Sequence, residues 1–455
     1  MLLAQKCPIQ GIFAGRSGDR RSRGQVLSRP GSSLRSPQKF CKAPATKRVG
    51  LNWASFARSW RDRRWFCGCP ARRQTILELK DSQAISRCGW GLACALTRLN
   101  DERKGYYFML PRSRGDLPAV HGRSRTRPED TLLSEELLRL PDGGDHFWLK
   151  VRCQGLAHKQ MLAAVARAAA IDPALVQSAG ARDRQAVVQQ WVSLPKAPVD
   201  NPGALKGAGY KSQLKVLEVH EGAGPIRAEQ VSGLTCRLRL VDGAAEDGFE
   251  RAQAILRRLR SQGVPNYIGA AMMGPSGSHA RWGKLLAQGK RLPNRVPSSG
   301  PDRSKYERAW QARLFNGWVA QRLSGPGLDA VLPGDWLQTA LNQGPAQRQL
   351  LQVEDAVAAQ RRVESWESVV MGPLWGADCP PAGAQAQAFA EAAAAEQGPL
   401  PSQRCRGGLR ALRFQPAGAQ VEKSGKDLLV QCSIPCDAFA AVLAEELLAI
   451  EGHLS

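Results

Sequence analysis

Residues 235–262 restrict the fold more than any other part of this chain. Residues 235–241 alternate, with Cys236, Leu238 and Leu240 on one side and Thr235, Arg237 and Arg239 on the other, which is the period of a half-buried strand. Immediately afterwards, residues 246–262 set Phe249, Ala252, Ile255, Leu256 and Leu259 along one helical stripe, and Gly263 with Pro265 supplies the stop. A strand with one apolar face feeding a helix with one apolar stripe predicts an α+β arrangement, because each must be buried against the other. The same signals predict strands over 147–151, 176–180, 190–194 and 428–434. They predict helices over 161–171, 306–323 and 437–451, the last with Asp437 as its N-cap.

The chain has 455 residues, 43% of them hydrophobic, enough for about two or three domains with cores of their own. No run approaches the roughly 20 apolar residues that span a bilayer, so no membrane partner is expected. The formal net charge is +24, but its placement matters more than its size. Residues 1–127 hold 27 Lys and Arg against 7 Asp and Glu, and residues 128–455 are only mildly basic. Within residues 1–75 the only acids are Asp19 and Asp62, among many Arg and Ser. That is the composition of an organelle transit peptide, mitochondrial or plastid; a disordered RNA-binding tail or a mis-assigned start codon reads the same way and would leave the protein in nucleus or cytoplasm. The 12 cysteines lack the paired CxxC units that close a zinc tetrahedron, so no metal is expected and the thiols are read as reduced.

Residues 76–124 read as a linker of unclear structure, and regular elements begin near Arg127-Pro128-Glu129-Asp130. Residues 275–303, rich in Gly, Ser, Pro and Lys, suggest a domain boundary or a flexible basic loop; a second Gly/Pro/Ala-rich stretch at 371–383 suggests another.

One short loop, Ala181-Arg182-Asp183-Arg184, lies between two predicted strands. Alone it is a charged turn. Its surroundings change its meaning: Arg125 and Arg127-Pro128-Glu129-Asp130 upstream, Ala179-Gly180-Ala181-Arg182-Asp183-Arg184-Gln185-Ala186 around it, then Gly263-Val264-Pro265-Asn266-Tyr267-Ile268-Gly269, Leu314-Phe315-Asn316, Gly334-Asp335 and Gly372-Pro373-Leu374. In this order the motifs resemble the TruD family of pseudouridine synthases over roughly residues 125–450. The resemblance implies an α+β pseudouridine-synthase-like catalytic domain in two parts, 125–274 and 372–455, with an inserted TRUD-type α/β domain over 275–371.

It also implies the chemistry: isomerisation of a uridine to its C-glycoside in tRNA or another structured RNA, without a cofactor. The family's catalytic aspartate falls on Asp183, which would add to the anomeric carbon or assist loss of the base; the sequence leaves both routes open. Burial disfavours a carboxylate's charge unless a cation is near, and Arg125 stands at the family's basic position. Arg182 and Arg184 would meet phosphates or solvate the loop. Asn266, Tyr267, Met272, Met273, Phe315 and Asn316 are candidates for the wall of the pocket or for RNA contact.

The sequence departs from the family at that wall. Where the family has Gly-Asn-x-Phe, this chain has Gly233-Leu234-Thr235-Cys236, and the family's Gln-Arg-Phe-Gly reads Ala271-Met272-Met273-Gly274. A flipped base needs a flat or soft partner, and Cys236 cannot stack. Either Met272, Met273 or Tyr267 covers the base instead, or the chain is a non-catalytic RNA-binding protein or RNA chaperone on a degenerate fold. Restoring the family residues with Cys236→Phe and Leu234→Asn is expected to raise the rate.

Overall fold

In the computed structural model the described residues are 110–339 and 348–449, apart from 198, 200–204, 206–208 and 211–212. The basic leader, 1–75, and residues 76–109 lie outside them. In chain order the first part holds β1 (Thr131–Leu137), β2 (His146–Gln154), α1 (His158–Ala168), β3 (Gln177–Ser178), β4 (Val187–Pro195), β5 (Gly209–Tyr210), β6 (Leu214–Gly222), β7 (Val231–Leu240), α2 (Gly248–Gln262) and β8 (Val264–Pro265). The second part holds α3 (Ser278–Ala287), α4 (Gly300–Ser324), β9 (Trp336–Gln338), β10 (Leu350–Gln352), α5 (Ala356–Glu364), β11 (Val369–Leu374), α6 (Ala384–Gln397) and β12 (Gly408–Ala411). Then β13 (Arg413–Phe414), β14 (Ala417–Ser424), β15 (Asp427–Ile434) and α7 (Ala440–Leu447) close the chain.

The central sheet has nine strands in the order β14-β15-β7-β1-β4-β2-β6-β5, with β3 added on β4. One of its faces is apolar. The register aligns Leu133 with Cys236 and Val188, Cys236 with Cys432, and Cys153 with Val188 and Leu214, so this row across the face is hydrophobic and buried. Met161 and Val165 of α1, Ile255 and Leu259 of α2, and Val442 and Leu443 of α7 complete the same core. The alternation read in 235–241 thus belongs to a longer strand, and the amphipathic stripe of α2 enters the same core.

The second part is built around α4, which from Tyr306 to Arg322 is buried on nearly every side. A helix apolar on one stripe only could not sit there, and Glu307, Gln311, Asn316 and Arg322 all find polar partners. The Arg322 guanidinium meets the Asp335 carboxylate at 3.1 Å with both side chains almost wholly enclosed. Gln311 donates to the carbonyls of Trp375 and Arg406, each at 2.8 Å. The insert's sheet runs β10-β9-β11-β12. Chain entry and return lie together, since β8 and β13 pair antiparallel through Arg413 with Pro265 and Phe414 with Val264.

The structure corrects several expectations. The second catalytic segment does not begin at 372, which lies inside β11; the insert's sheet includes β12, so the return falls at β13. Residues 275–303 are not simply a loop, because they contain α3 and the start of α4. Residues 110–124 are not a linker: Val120 N–H donates to Leu447 O at 2.9 Å, Arg123 N–H to Val241 O at 2.9 Å, and Ser113 Oγ to Gly263 O at 2.8 Å. Asp437 is also not an N-cap, since α7 starts at Ala440 and the Asp437 carboxylate binds Arg410 instead.

Candidate active site at the split in the sheet

Strands β1 and β4 are parallel neighbours, yet they pair only at Leu132–Ser134 against Val187–Gln189. Parallel pairing puts the segments entering both strands side by side, and these segments carry Arg125 and Asp183. Arg125 Nη2 lies 2.9 Å from Asp183 Oδ2, with the two side chains 20% and 23% exposed. The same nitrogen donates to Gln185 Oε1 at 2.5 Å, and Asp183 Oδ1 accepts the Gln185 backbone N–H at 2.9 Å. Each carboxylate oxygen has two lone pairs, so this fixes the orientation and leaves one on each oxygen for a substrate. Arg125 adopts φ 58°, a left-handed conformation that costs a non-glycine residue about 1–3 kcal/mol, and its side chain is aimed at Asp183 from there.

Beyond Ser134 the two strands diverge, and β3 pairs with β4 at Ser193 and Val192 in the space that opens. Residues 179–186 fill the split. Glu135, with a fully enclosed side chain, stitches it together: Oε1 accepts Arg182 Nε at 2.7 Å and Oε2 accepts Trp191 N–H at 2.8 Å. Burial pushes the Glu135 carboxyl up, and the Arg182 guanidinium with the Trp191 N–H pulls it back. Gln190 Nε2 donates to Gly180 O at 2.6 Å and Arg184 Nε to Gly155 O at 3.1 Å, so the loop is held on both flanks of Asp183. His158, at the start of α1, approaches Ser178 Oγ at 3.4 Å. Burial and the Arg182 charge push its imidazole down, and its Nδ1 has no hydrogen-bond partner. Arg182 is therefore an internal anchor and not a phosphate ligand; Arg184 remains exposed.

The motif at 263–269 is a joint between the first part of the chain and the second. Gly263 ends α2 at φ +89°, which glycine adopts without strain. Asn266 is buried, accepting Arg410 Nη2 at 2.7 Å and donating to Asp437 Oδ2 at 3.3 Å. Tyr267 is enclosed with its hydroxyl donating to Pro111 O at 3.0 Å. Asn316 of α4 grips Ile268 by both backbone groups, accepting its N–H at 2.7 Å and donating to its carbonyl at 2.9 Å. Phe315 is buried beside Trp318. Gly269 sits so close to Phe439 that a Cβ there would come within 2.7 Å of the ring. Asn266, Tyr267, Phe315 and Asn316 were expected at a pocket wall or RNA surface; enclosure in this joint removes them from both roles.

Met273 is buried, while Met272 is 39% exposed beside exposed Ala271, so of the three proposed base covers only Met272 presents free surface. Leu234 and Cys236 lie on the buried face of β7, and Cys236 stands opposite buried Cys432 in the register of β7 with β15. The substituted positions are filled core, which overturns the expected gain from restoring the family residues. Cys236→Phe forces a ring into a fully enclosed site between Leu133 and Cys432, and Leu234→Asn puts an amide opposite buried Glu135. We expect the double variant to lose about 1–3 kcal/mol or more in denaturant unfolding with no gain in rate; faster turnover at unchanged stability would show that the wall can be rebuilt there.

The sequence alone did not point to Glu135, His158 or Gln185. The signal for Glu135 was present, since Leu133, Glu135 and Leu137 share one parity of β1 and an acid among inward-facing leucines requires a buried partner. His158 and Gln185 carried none.

The sequence model of the family described as tRNA pseudouridine synthase D (TruD) matches residues 114–290 and 303–447. A protein named tRNA pseudouridine synthase D from Stutzerimonas stutzeri (strain A1501) is 30% identical over 70% of this chain and 90% of its own length. One of the same name from Thermus thermophilus is 28% identical over 74% of this chain and 91% of its own. The crystal structure of a TruD-type protein from Methanosarcina mazei covers 76% of this chain and 97% of its own with a TM-score of 0.57 at 14% identity. The fold is the α+β fold of pseudouridine synthases. Within that class, the chain belongs to the TruD family.

Proposed function

We propose that this protein isomerises a uridine of tRNA to pseudouridine, with Asp183 as the catalytic carboxylate and Arg125 as its charge partner. The observation that carries the reading is the Asp183–Arg125 pair at the split between β1 and β4, within the stretch shared with the family. In the reaction the N1–C1′ bond breaks, the uracil turns, C5 bonds to C1′, and the proton displaced from C5 is balanced by one taken up at N1. An anchored carboxylate can form and later release a bond to C1′, or stabilise the positive charge that develops there, so nothing in the balance requires a redox partner. Met272, which is exposed, would cover an extruded base with soft surface.

The test is tritium release from unmodified tRNA transcripts labelled at uridine C5, since each turnover frees that hydrogen. Release in proportion to enzyme supports the reading. Tight tRNA binding without release would favour the RNA-binding alternative, which the filled positions Leu234 and Cys236 support. The acid-poor leader, residues 1–75, is proposed to be an organelle transit segment, and a fluorescent fusion that stays cytosolic would contradict it.

A further inference from the structure

Between Glu250 and Asp302 the sequence contains no acid, and its second half carries Arg281, Lys284, Lys290, Arg291 and Arg295. These cations lie on one corner made of α3 and of the turn and segment that leave it. Helix α3 packs along α4, with a Cβ on Gly283 placed only 2.1 Å from Tyr306 O, and its end is turned by Gly289 at φ +70° and by Lys290 N–H donating to Leu285 O at 2.9 Å. Lys284 is used inside, its ammonium 5.4 Å from the Trp310 ring centre. Arg281, Lys290, Arg291 and Arg295 are exposed, and none forms an ion pair among the described residues. The adjacent carboxylates are already engaged: Asp302 with Lys305 at 2.9 Å and Glu307 with Arg303 at 3.0 Å. Arg125, Arg182, Arg239, Arg322 and Arg410, by contrast, are each answered by a carboxylate.

A helix C-terminus favours one or two cations through its dipole, which explains Lys290 and Arg291 but not Arg281 or Arg295. Two further facts bear on the corner. It adjoins the 3-10 turn Ala270–Met273, which presents the exposed Met272. The family match runs over residues 114–290 and 303–447, so Arg291 and Arg295 lie between the matched stretches.

We infer that Arg281, Lys290, Arg291 and Arg295 form a docking surface for the phosphate backbone of tRNA, outside the target nucleotide. The inference rests on the proposed tRNA substrate. It assigns to this corner an affinity role separate from the chemistry at Asp183, since backbone phosphates position an RNA without specifying its sequence.

The test uses the full chain with all four residues changed to Gln, and a second variant with the three arginines changed to Lys. Each phosphate that the protein no longer neutralises lowers the slope of log affinity against log salt by about 0.7–0.9. The Gln variant should therefore show a slope shallower by about 2–4 and a raised KM, with kcat at saturating tRNA and the melting temperature unchanged. The Lys variant should keep the wild-type slope. An unchanged slope and KM in the Gln variant, with wild type active, would overturn the inference. So would a matching loss in the Lys variant, because that would mean guanidinium packing and not charge. If wild type binds tRNA without turnover and the slope still falls in the Gln variant, the docking surface stands and the enzymatic reading fails.

Discussion

Asp183→Asn is expected to remove pseudouridine formation, a loss on the order of 10⁴-fold or more in kcat, as for other enzymes deprived of their nucleophile. Fold and tRNA affinity should change little. An Asn side chain keeps an oxygen to accept the Gln185 N–H, and the side chain it replaces is partly exposed. What disappears is the negative charge that Arg125 faces at 2.9 Å. Single-turnover kinetics on labelled tRNA would read the effect directly, and an Asn variant with wild-type turnover would return Asp183 to the status of a surface turn.

Arg182→Met should have the largest effect on stability, about 3–5 kcal/mol, because removing one partner leaves the enclosed Glu135 carboxylate with only the Trp191 N–H. The pH dependence has a definite sign. Burial already raises the Glu135 pKa in the folded state, and losing Arg182 raises it further. A carboxyl whose folded pKa lies above its unfolded value costs nothing below the unfolded pKa and costs most above the folded one. The variant's deficit should therefore be largest at neutral pH and shrink as the pH falls toward the ordinary glutamate range. Urea unfolding at several pH values measures this, and a deficit that grows with acid would contradict the assignment. Adding Glu135→Gln to the variant should recover part of the loss, since the uncompensated charge is then gone.

The layers of the fold were legible because they follow from periodicity. The two-residue period of 235–241 and the helical stripe of 246–262 reappear as β7 and α2, with their apolar sides in one core. What periodicity could not show was enclosure from outside an element. Helix α4 is read from a few apolar positions, yet it is surrounded, and its Glu307, Gln311, Asn316 and Arg322 are buried only because distant segments supply partners. Strand β12 escaped because Leu409 and Ala411 give too short an alternation to mark a strand, so the insert's return was placed too early.

The site divides in the same way. The proximity of Arg125 and Asp183 came from the resemblance, and the geometry explains it through the parallel pairing of β1 with β4. The motif at 263–269 was recognisable but its role was not. A run of Gly, Pro, Asn and Tyr suits a pocket rim as well as a joint, and only the partners Asn316, Arg410 and Phe439, between 48 and 170 positions away in sequence, decide between them. Arg182 was misplaced because an arginine on a loop is ordinarily solvated, and the acid that buries it, Glu135, sits on another strand.

The most direct test maps pseudouridine at single-nucleotide resolution, by base-specific chemical labelling, on unmodified tRNA transcripts incubated with the purified protein and, in parallel, with its Asp183→Asn variant. The account predicts a modified uridine with the wild-type protein and none with the variant, at equal tRNA occupancy. Modification by both proteins, or by neither across a full set of tRNAs, would contradict it.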